Sequence, residues 1–233
     1  MSSSGAASRS VGAWQALVAH DLKNALGTLE DRLAGLVAAP SSEAAEHAHR
    51  QCRDLRRKLV GLLLVQRGEA EGGLPAWTTD ECPADLLDLL SETPPWSREG
   101  LTLERRVEPG TPECWTFDRH LVRMALEAAL HNAGRHALQR VELTVGPDRG
   151  GLRFQVLDDG PGPDSLSLHE RGTGLGTALC RAVADAHRIG GRSGEVRLDG
   201  HGLPRGQAPG QAPTARRTTR KPPRGARFSL WIP

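Results

Sequence analysis

Leucine recurs at spacings of three and four between positions 22 and 36, as Leu22, Leu26, Leu29, Leu33 and Leu36. That period belongs to a helix and predicts one long helix over residues 11–39. Pro40-Ser41-Ser42 breaks it, and Ser41 or Ser42 can cap the next helix. The second helix runs from about 43 to 66, with Cys52, Leu55, Leu59 and Leu62 on one stripe. Two helices joined by so short a turn form an antiparallel hairpin. A lone hairpin buries too little apolar surface, so its stripe needs a partner. Pairing of two copies into a four-helix bundle is the simplest solution.

The hairpin is assigned to residues 11–67, behind an N-terminus of ten residues expected to be disordered. Gly68 to Pro75 is Gly-rich, and residues 68–76 read as a linker. Beyond it the pattern changes. A short helix near 84–90 and a strand at 101–107 precede a long helix, about 118–138. Two strands, 140–145 and 152–157, flank the turn Gly146-Pro147-Asp148-Arg149-Gly150. A helix at 177–187 and strands near 195–198 and 226–232 complete the chain. The fold class is therefore α+β: a helical hairpin, then an α/β sandwich over 77–233 with helices on one face of a mixed sheet.

The formal charge is +2 but unevenly spread. Arg205, Arg216, Arg217, Arg220, Lys221 and Arg224 fall in one stretch without acids, and removing them turns +2 into −4. That stretch, residues 200–225, is rich in Pro and Gly and reads as a disordered basic insertion between the last two strands. With no tyrosine and few aromatics elsewhere, nucleic acid is not an expected partner. The four cysteines form no CxxC pair, which fits a reducing cytoplasm better than a disulfide framework. No apolar run is long enough to span a bilayer, and residues 1–10 lack the apolar core of a signal peptide. A cytoplasmic protein without membrane contact is expected.

Two glycine clusters carry the chemistry of the second domain. Asp158-Asp159-Gly160-Pro161-Gly162 closes an apolar strand, and Gly172-Thr173-Gly174-Leu175-Gly176 opens a helix. Glycine lets backbone approach a ligand closely, and a helix N-terminus attracts phosphate. Together they read as a nucleotide site, although either alone is equally a turn. On the first helix, His20 falls about 160° from Leu22 and is therefore exposed, with Asn24 one turn along and Asp21 beside it. His47 and His49 point about 200° apart and cannot share a metal.

Leu17-Val18-Ala19-His20-Asp21-Leu22-Lys23-Asn24 resembles the phosphoacceptor box of two-component sensor histidine kinases. Asn132-Ala133-Gly134-Arg135-His136 is similar to that family's N box, and the two glycine clusters to its G1 and G2 boxes. Gly225 to Pro233 is similar to its closing strand. The boxes stand in the family's order, and the resemblance covers residues 11–199 and 225–233. It implies a dimeric phosphotransfer hairpin followed by a Bergerat-type ATP-binding domain.

The resemblance also implies roles. His20 would attack the γ-phosphate of ATP, with Asp21 accepting a hydrogen bond from the other ring nitrogen. Asn24 matches the position that orients water in dephosphorylation of the partner regulator. Asp158 would accept the adenine amino hydrogen, while Gly160 and Gly162 admit the base. Gly172, Thr173, Gly174, Leu175 and Gly176 would meet the phosphates through backbone amides. Asn132 would hold Mg²⁺, with Arg135 and His136 near the phosphates or ribose. The implied partners are a response regulator receiver domain and a second copy of the chain; with about ten residues before the first helix, the signal is expected from a separate sensory protein.

Three positions depart from the family. Ala128 stands four residues before Asn132, where the family usually has a second Asn or a Glu. Glu127 sits about 100° around the helix and is no simple substitute. Only Pro163 to Arg171 separate the glycine clusters, a short ATP lid. Ala25 replaces a proline that often follows the phosphoacceptor box. Two alternatives follow: a phosphotransfer or regulator-phosphatase module with a degenerate ATP site, and a serine kinase of the anti-sigma type.

Overall fold

The computed structural model describes residues 4–92, 100–163, 173–204 and 225–233, with side-chain environments from Trp14 onward. The chain divides into two compact units: residues 1–72 with 172–179, and residues 73–171 with 180–233.

The first unit is the hairpin of α1 (Ser4–Ala38) and α2 (Ser42–Glu71). Ser41 caps α2, its hydroxyl accepting from the Ala44 amide at 3.4 Å. Gly72, at φ 75°, ends α2 in the left-handed conformation that glycine adopts without strain. Both helices exceed their expected limits. Residues 4–10, expected to be disordered, are helical, and they contain no proline to stop helix propagation. Gly68 lies inside α2, which continues for one more turn with Arg67 and Glu71 paired at 3.0 Å. The linker therefore starts at Gly72 rather than at 68.

The leucine stripe divides in two. Val18 and Leu29 on α1 are buried, as are Leu62 and Val65 on α2. Leu26 and Leu33 remain about half exposed, at 49% and 48%, as do Leu59 and Leu63 on α2. Polar contacts across the hairpin reinforce the apolar seam. The Gln51 amide donates to the Ala25 carbonyl at 3.1 Å, and Lys58 pairs with Asp21.

The second unit is built on a five-stranded mixed sheet. Its strands are β2 (Thr102–Val107), β4 (Arg140–Asp148), β5 (Gly151–Asp158), β8 (Glu195–Asp199) and β9 (Arg227–Ile232), in the order β2-β4-β5-β9-β8. The β2–β4 pair is parallel and the others are antiparallel. Arg149 and Gly150, both at positive φ, form the two-residue turn between β4 and β5, so the strand pairing extends to Asp148↔Gly151. The expected five-residue turn is shorter because those two residues reverse the chain alone.

Period-two alternation puts Val141, Leu143, Val145, Leu152, Phe154, Val156, Leu230 and Ile232 on the covered face, all at 2% exposure or less. Helices α3 (Pro83–Glu92) and α4 (Arg119–His136) pack on that sheet. From Cys180 onward α5 (Leu175–Ala186) belongs to this unit, and there the Cys180 thiol meets the Ala125 carbonyl of α4. The opposite face carries Arg153, Gln155, Arg227 and Ser229, joined by contacts such as Gln155 to Ser229 at 3.0 Å. Two small sheets have no counterpart in the sequence reading: β1 (Thr79–Glu81) with β3 (Trp115–Phe117), and β6 (Arg188–Ile189) with β7 (Arg192–Ser193).

Candidate functional site: a helix histidine and a buried carboxylate corner

On α1, His20 is exposed, as the helical period requires. The Asn24 amide group lies 3.2 Å from its Nδ1, one turn along the same face. Asp21 does not reach the ring. Its Oδ2 accepts from Lys58 Nζ at 2.8 Å, with both side chains about 40% exposed. The structure thus brings His20 and Asn24 together and turns Asp21 toward α2. Sequence reasoning missed Lys58, which lies 37 residues away and shares no motif with Asp21.

Four residues of the second glycine cluster are described, and Gly172 lies outside the described residues. Trp14 Nε1 on α1 donates to the Thr173 carbonyl at 2.9 Å. Gly174 adopts φ 74°, and its carbonyl accepts from Ala178, the first bond of α5. Leu175 is 6% exposed and Leu179 3%; a methyl group added to Gly61 would stand 3.6 Å from Leu179. The first-turn amides of α5, those of Leu175 and Gly176 among them, have no carbonyl to meet inside the helix. Those are the groups that could meet an anion. All but Pro163 of the expected short lid lies outside the described residues.

In the second unit, Asp158 ends β5 at 5% exposure. Its Oδ1 accepts from the amides of Gly160 at 2.8 Å and Ala226 at 3.1 Å. Gly160 is required by its surroundings. A Cβ there would run into the His136 carbonyl and stand 2.9 Å from Asp158 Oδ1. Gly162 has φ 77°. His136 therefore belongs to this corner through its backbone. Asn132, Arg135 and His136 fall within about 100° of arc on α4. Asn132 and Arg135 are exposed.

Asp159, next in line, has a role the motif reading did not give it. It is 5% exposed and accepts from three successive amides, Leu138 at 2.8 Å, Gln139 at 3.2 Å and Arg140 at 3.2 Å. It ties the end of α4 to the start of β4 and so holds the N-box helix against the strand that ends in Asp158. Only a fold that brings those amides together reveals it.

A model of the histidine kinase-, DNA gyrase B- and HSP90-like ATPases matches residues 117–233. The chain belongs to this ATPase family. The match begins at Phe117, at the foot of α4, and takes in the Asp158 corner, both glycine clusters and the final strand. The family fold extends here to a helical hairpin, as it does in two solved histidine kinases. Acinetobacter baumannii AdeS shares 16% identity over 91% of this chain and 96% of its own, with a TM-score of 0.59. Full-length ShkA in complex with AMPPNP shares 19% identity over 95% of this chain but 45% of its own, with a TM-score of 0.52. At such identities the likeness is one of fold. No curated protein matches the chain in sequence. Among the described residues no helix is long and apolar enough to cross a membrane, and no group of His, Cys, Asp and Glu could hold a metal ion.

The metal role expected from the motif falls on Asn132. Ala128, four residues before it, is apolar and 8% exposed. Glu127 is occupied by Arg123 at 2.7 Å. One exposed amide oxygen remains on this helix face. That is compatible with Mg²⁺, which keeps several waters and takes most other ligands from substrate phosphates.

Proposed function

We propose that this protein is a cytoplasmic, dimeric histidine kinase that phosphorylates its own His20 from ATP. It then passes the phosphoryl group to an aspartate of a response regulator receiver domain. The observation that carries this reading is an exposed histidine, with Asn24 on its ring, on the hairpin of a chain whose second unit is a family ATPase domain.

In the forward reaction the Nε2 lone pair of His20 attacks the γ-phosphorus, the bond to the β–γ bridging oxygen breaks, and ADP leaves. For Nε2 to be the nucleophile, the ring proton must sit on Nδ1. The Asn24 Nδ2 that lies 3.2 Å from Nδ1 is a donor, so the acceptor that holds that tautomer is Asp21 once Lys58 releases it. Asp158 receives the adenine amino hydrogen, and Gly160 and Gly162 leave room for the base. The amides of Gly174, Leu175 and Gly176 face the phosphates, with Thr173 beside them. Asn132 holds Mg²⁺, which neutralises phosphate charge when bound. Arg135 and His136 lie on the phosphate or ribose side. In the reverse direction Asn24 orients the water that dephosphorylates the regulator.

Incubation with γ-labelled ATP tests the reading. Label that is acid-labile, base-stable and lost in His20→Gln supports it; acid-stable label contradicts it. A second reading, a phosphotransfer or regulator-phosphatase module with a degenerate ATP site, is favoured by the buried methyl of Ala128. It predicts no ATP binding by calorimetry, with His20-dependent phosphate exchange retained.

A further inference from the structure

The backbone of Asp158 is bound by two segments outside the glycine cluster that contains it. Its amide donates to the Ala226 carbonyl at 3.0 Å, and its carbonyl accepts from the Leu203 amide at 2.8 Å. Ala226 returns its own amide to Asp158 Oδ1 at 3.1 Å. The two supporting segments are stitched to each other: Gly202 N to Gly225 O at 2.9 Å, and Gly225 N to Leu203 O at 3.0 Å. Residues 201–203 and 225, assigned to the disordered insertion from composition, are therefore hydrogen-bonded structure. Residues 201–203 and 225–226 meet beside Asp158.

The packing admits nothing larger than glycine at either crossing. A Cβ on Gly225 would overlap the Asp158 carbonyl and stand 2.8 Å from Oδ1. One on Gly202 would overlap the Ala226 carbonyl and stand 2.5 Å from that of Asp158. Leu203 closes the corner at 7% exposure.

We propose that Gly202-Leu203 and Gly225-Ala226 form a backbone clasp that aims the Asp158 carboxylate, making them positioning residues for adenine over guanine. This role rests on that of Asp158 as the base-recognising acid. Two amides fix Oδ1, two more main-chain bonds fix the residue that bears it, and the direction of Oδ2 follows. Discrimination between an amino and a carbonyl group on a purine depends on that direction, because a misaimed acceptor leaves the amino group unpaired.

Calorimetry with ADP and with GDP tests the clasp on the full chain. Gly225→Ala and Gly202→Ala, scored where circular dichroism shows a folded chain, should lower the ADP-to-GDP affinity ratio by at least about tenfold. Folded variants with an unchanged ratio overturn the proposal. Where the variants do not fold, hydrogen exchange on the unaltered protein decides. Amides of Leu203, Gly225 and Ala226 should exchange more slowly with ADP than with GDP, and equal rates overturn the proposal. Asp158→Asn separates the two claims. If it binds ADP as tightly as the parent chain, the base-recognition reading itself fails. If it loses ADP while the glycine variants keep the parent ratio, only the clasp fails.

Discussion

Lys58 Nζ lies 2.8 Å from Asp21 Oδ2, an ion pair that bridges the two helices of the hairpin and draws the carboxylate away from His20. Both side chains are partly in water, so the pair adds at most about 1 kcal/mol to stability. Its larger consequence is for reactivity. A carboxylate held by Lys58 does not serve the neighbouring imidazole. Lys58→Met is expected to raise the autophosphorylation rate about tenfold, part of the roughly 10²–10⁴ that a positioned base contributes. Asp21→Asn should abolish that gain in the Lys58→Met background and change the parent rate little. Initial rates with γ-labelled ATP check this, and a slower Lys58→Met protein contradicts it.

The half-exposed leucines predict the assembly state. Leu26 and Leu33 on α1, with Leu59 and Leu63 on α2, offer an apolar surface that the hairpin does not cover itself. Leu26→Glu with Leu33→Glu should convert a dimer to a monomer in sedimentation equilibrium without loss of helix. A mass unaffected by the double change contradicts the four-helix bundle.

Asp159 is expected to matter more for stability than for nucleotide chemistry. Asp159→Ala strips three amides at the α4–β4 junction of their acceptor. The cost should be about 1–3 kcal/mol, read from urea denaturation. An unaltered midpoint shows the junction to be satisfied otherwise.

His187 sets a pH dependence. At 2% exposure, its Nδ1–H donates to the Val183 carbonyl at 2.7 Å, and its Nε2 accepts from the Asp118 amide at 3.0 Å. Burial pushes its pKa below the ordinary 6.5, outweighing the Val183 carbonyl and the Asp118 charge, which push it up. Below pH 6.5 the unfolded chain therefore binds a proton that the folded chain refuses. The contribution of neutral His187 is complete above pH 6.5 and is lost as pH falls toward the lowered folded value. Urea midpoints should drop between pH 7.5 and 5.5, and drop less in His187→Gln.

Thiol reactivity follows burial. Cys180 is fully enclosed beside the Ala125 carbonyl, and burial raises its pKa to about 12. Cys52 and Cys114 are exposed. Iodoacetamide at pH 8 should label those two in the native protein and reach Cys180 only after unfolding, as read by peptide mass spectrometry.

The helices of the hairpin and the alternating strands were legible because their periods are long enough to count. Three-residue strands such as Thr79–Glu81 carry no period, and their pairing with Trp115–Phe117 is a tertiary fact. Helix ends were misplaced where a single residue dominated the reading. Gly68 looked like a breaker, yet the left-handed stop is at Gly72. Among the site residues, exposure of His20 and its pairing with Asn24 follow from one helical turn. The partners of Asp21, Asp158 and Asp159 do not. Lys58 lies on the other helix, and the amides holding the two aspartates carry no side-chain signature. Composition hid the clasp as well, since Gly202 and Gly225 flank a basic stretch that reads as solvated chain.

The central claim, that phosphate from ATP comes to rest on His20, is tested most directly by phosphorus NMR of the protein after incubation with ATP and Mg²⁺. The account predicts a phosphohistidine resonance that disappears on acidification and is absent from His20→Gln. A phosphoserine or phosphothreonine resonance, or a phosphohistidine signal that survives His20→Gln, contradicts it.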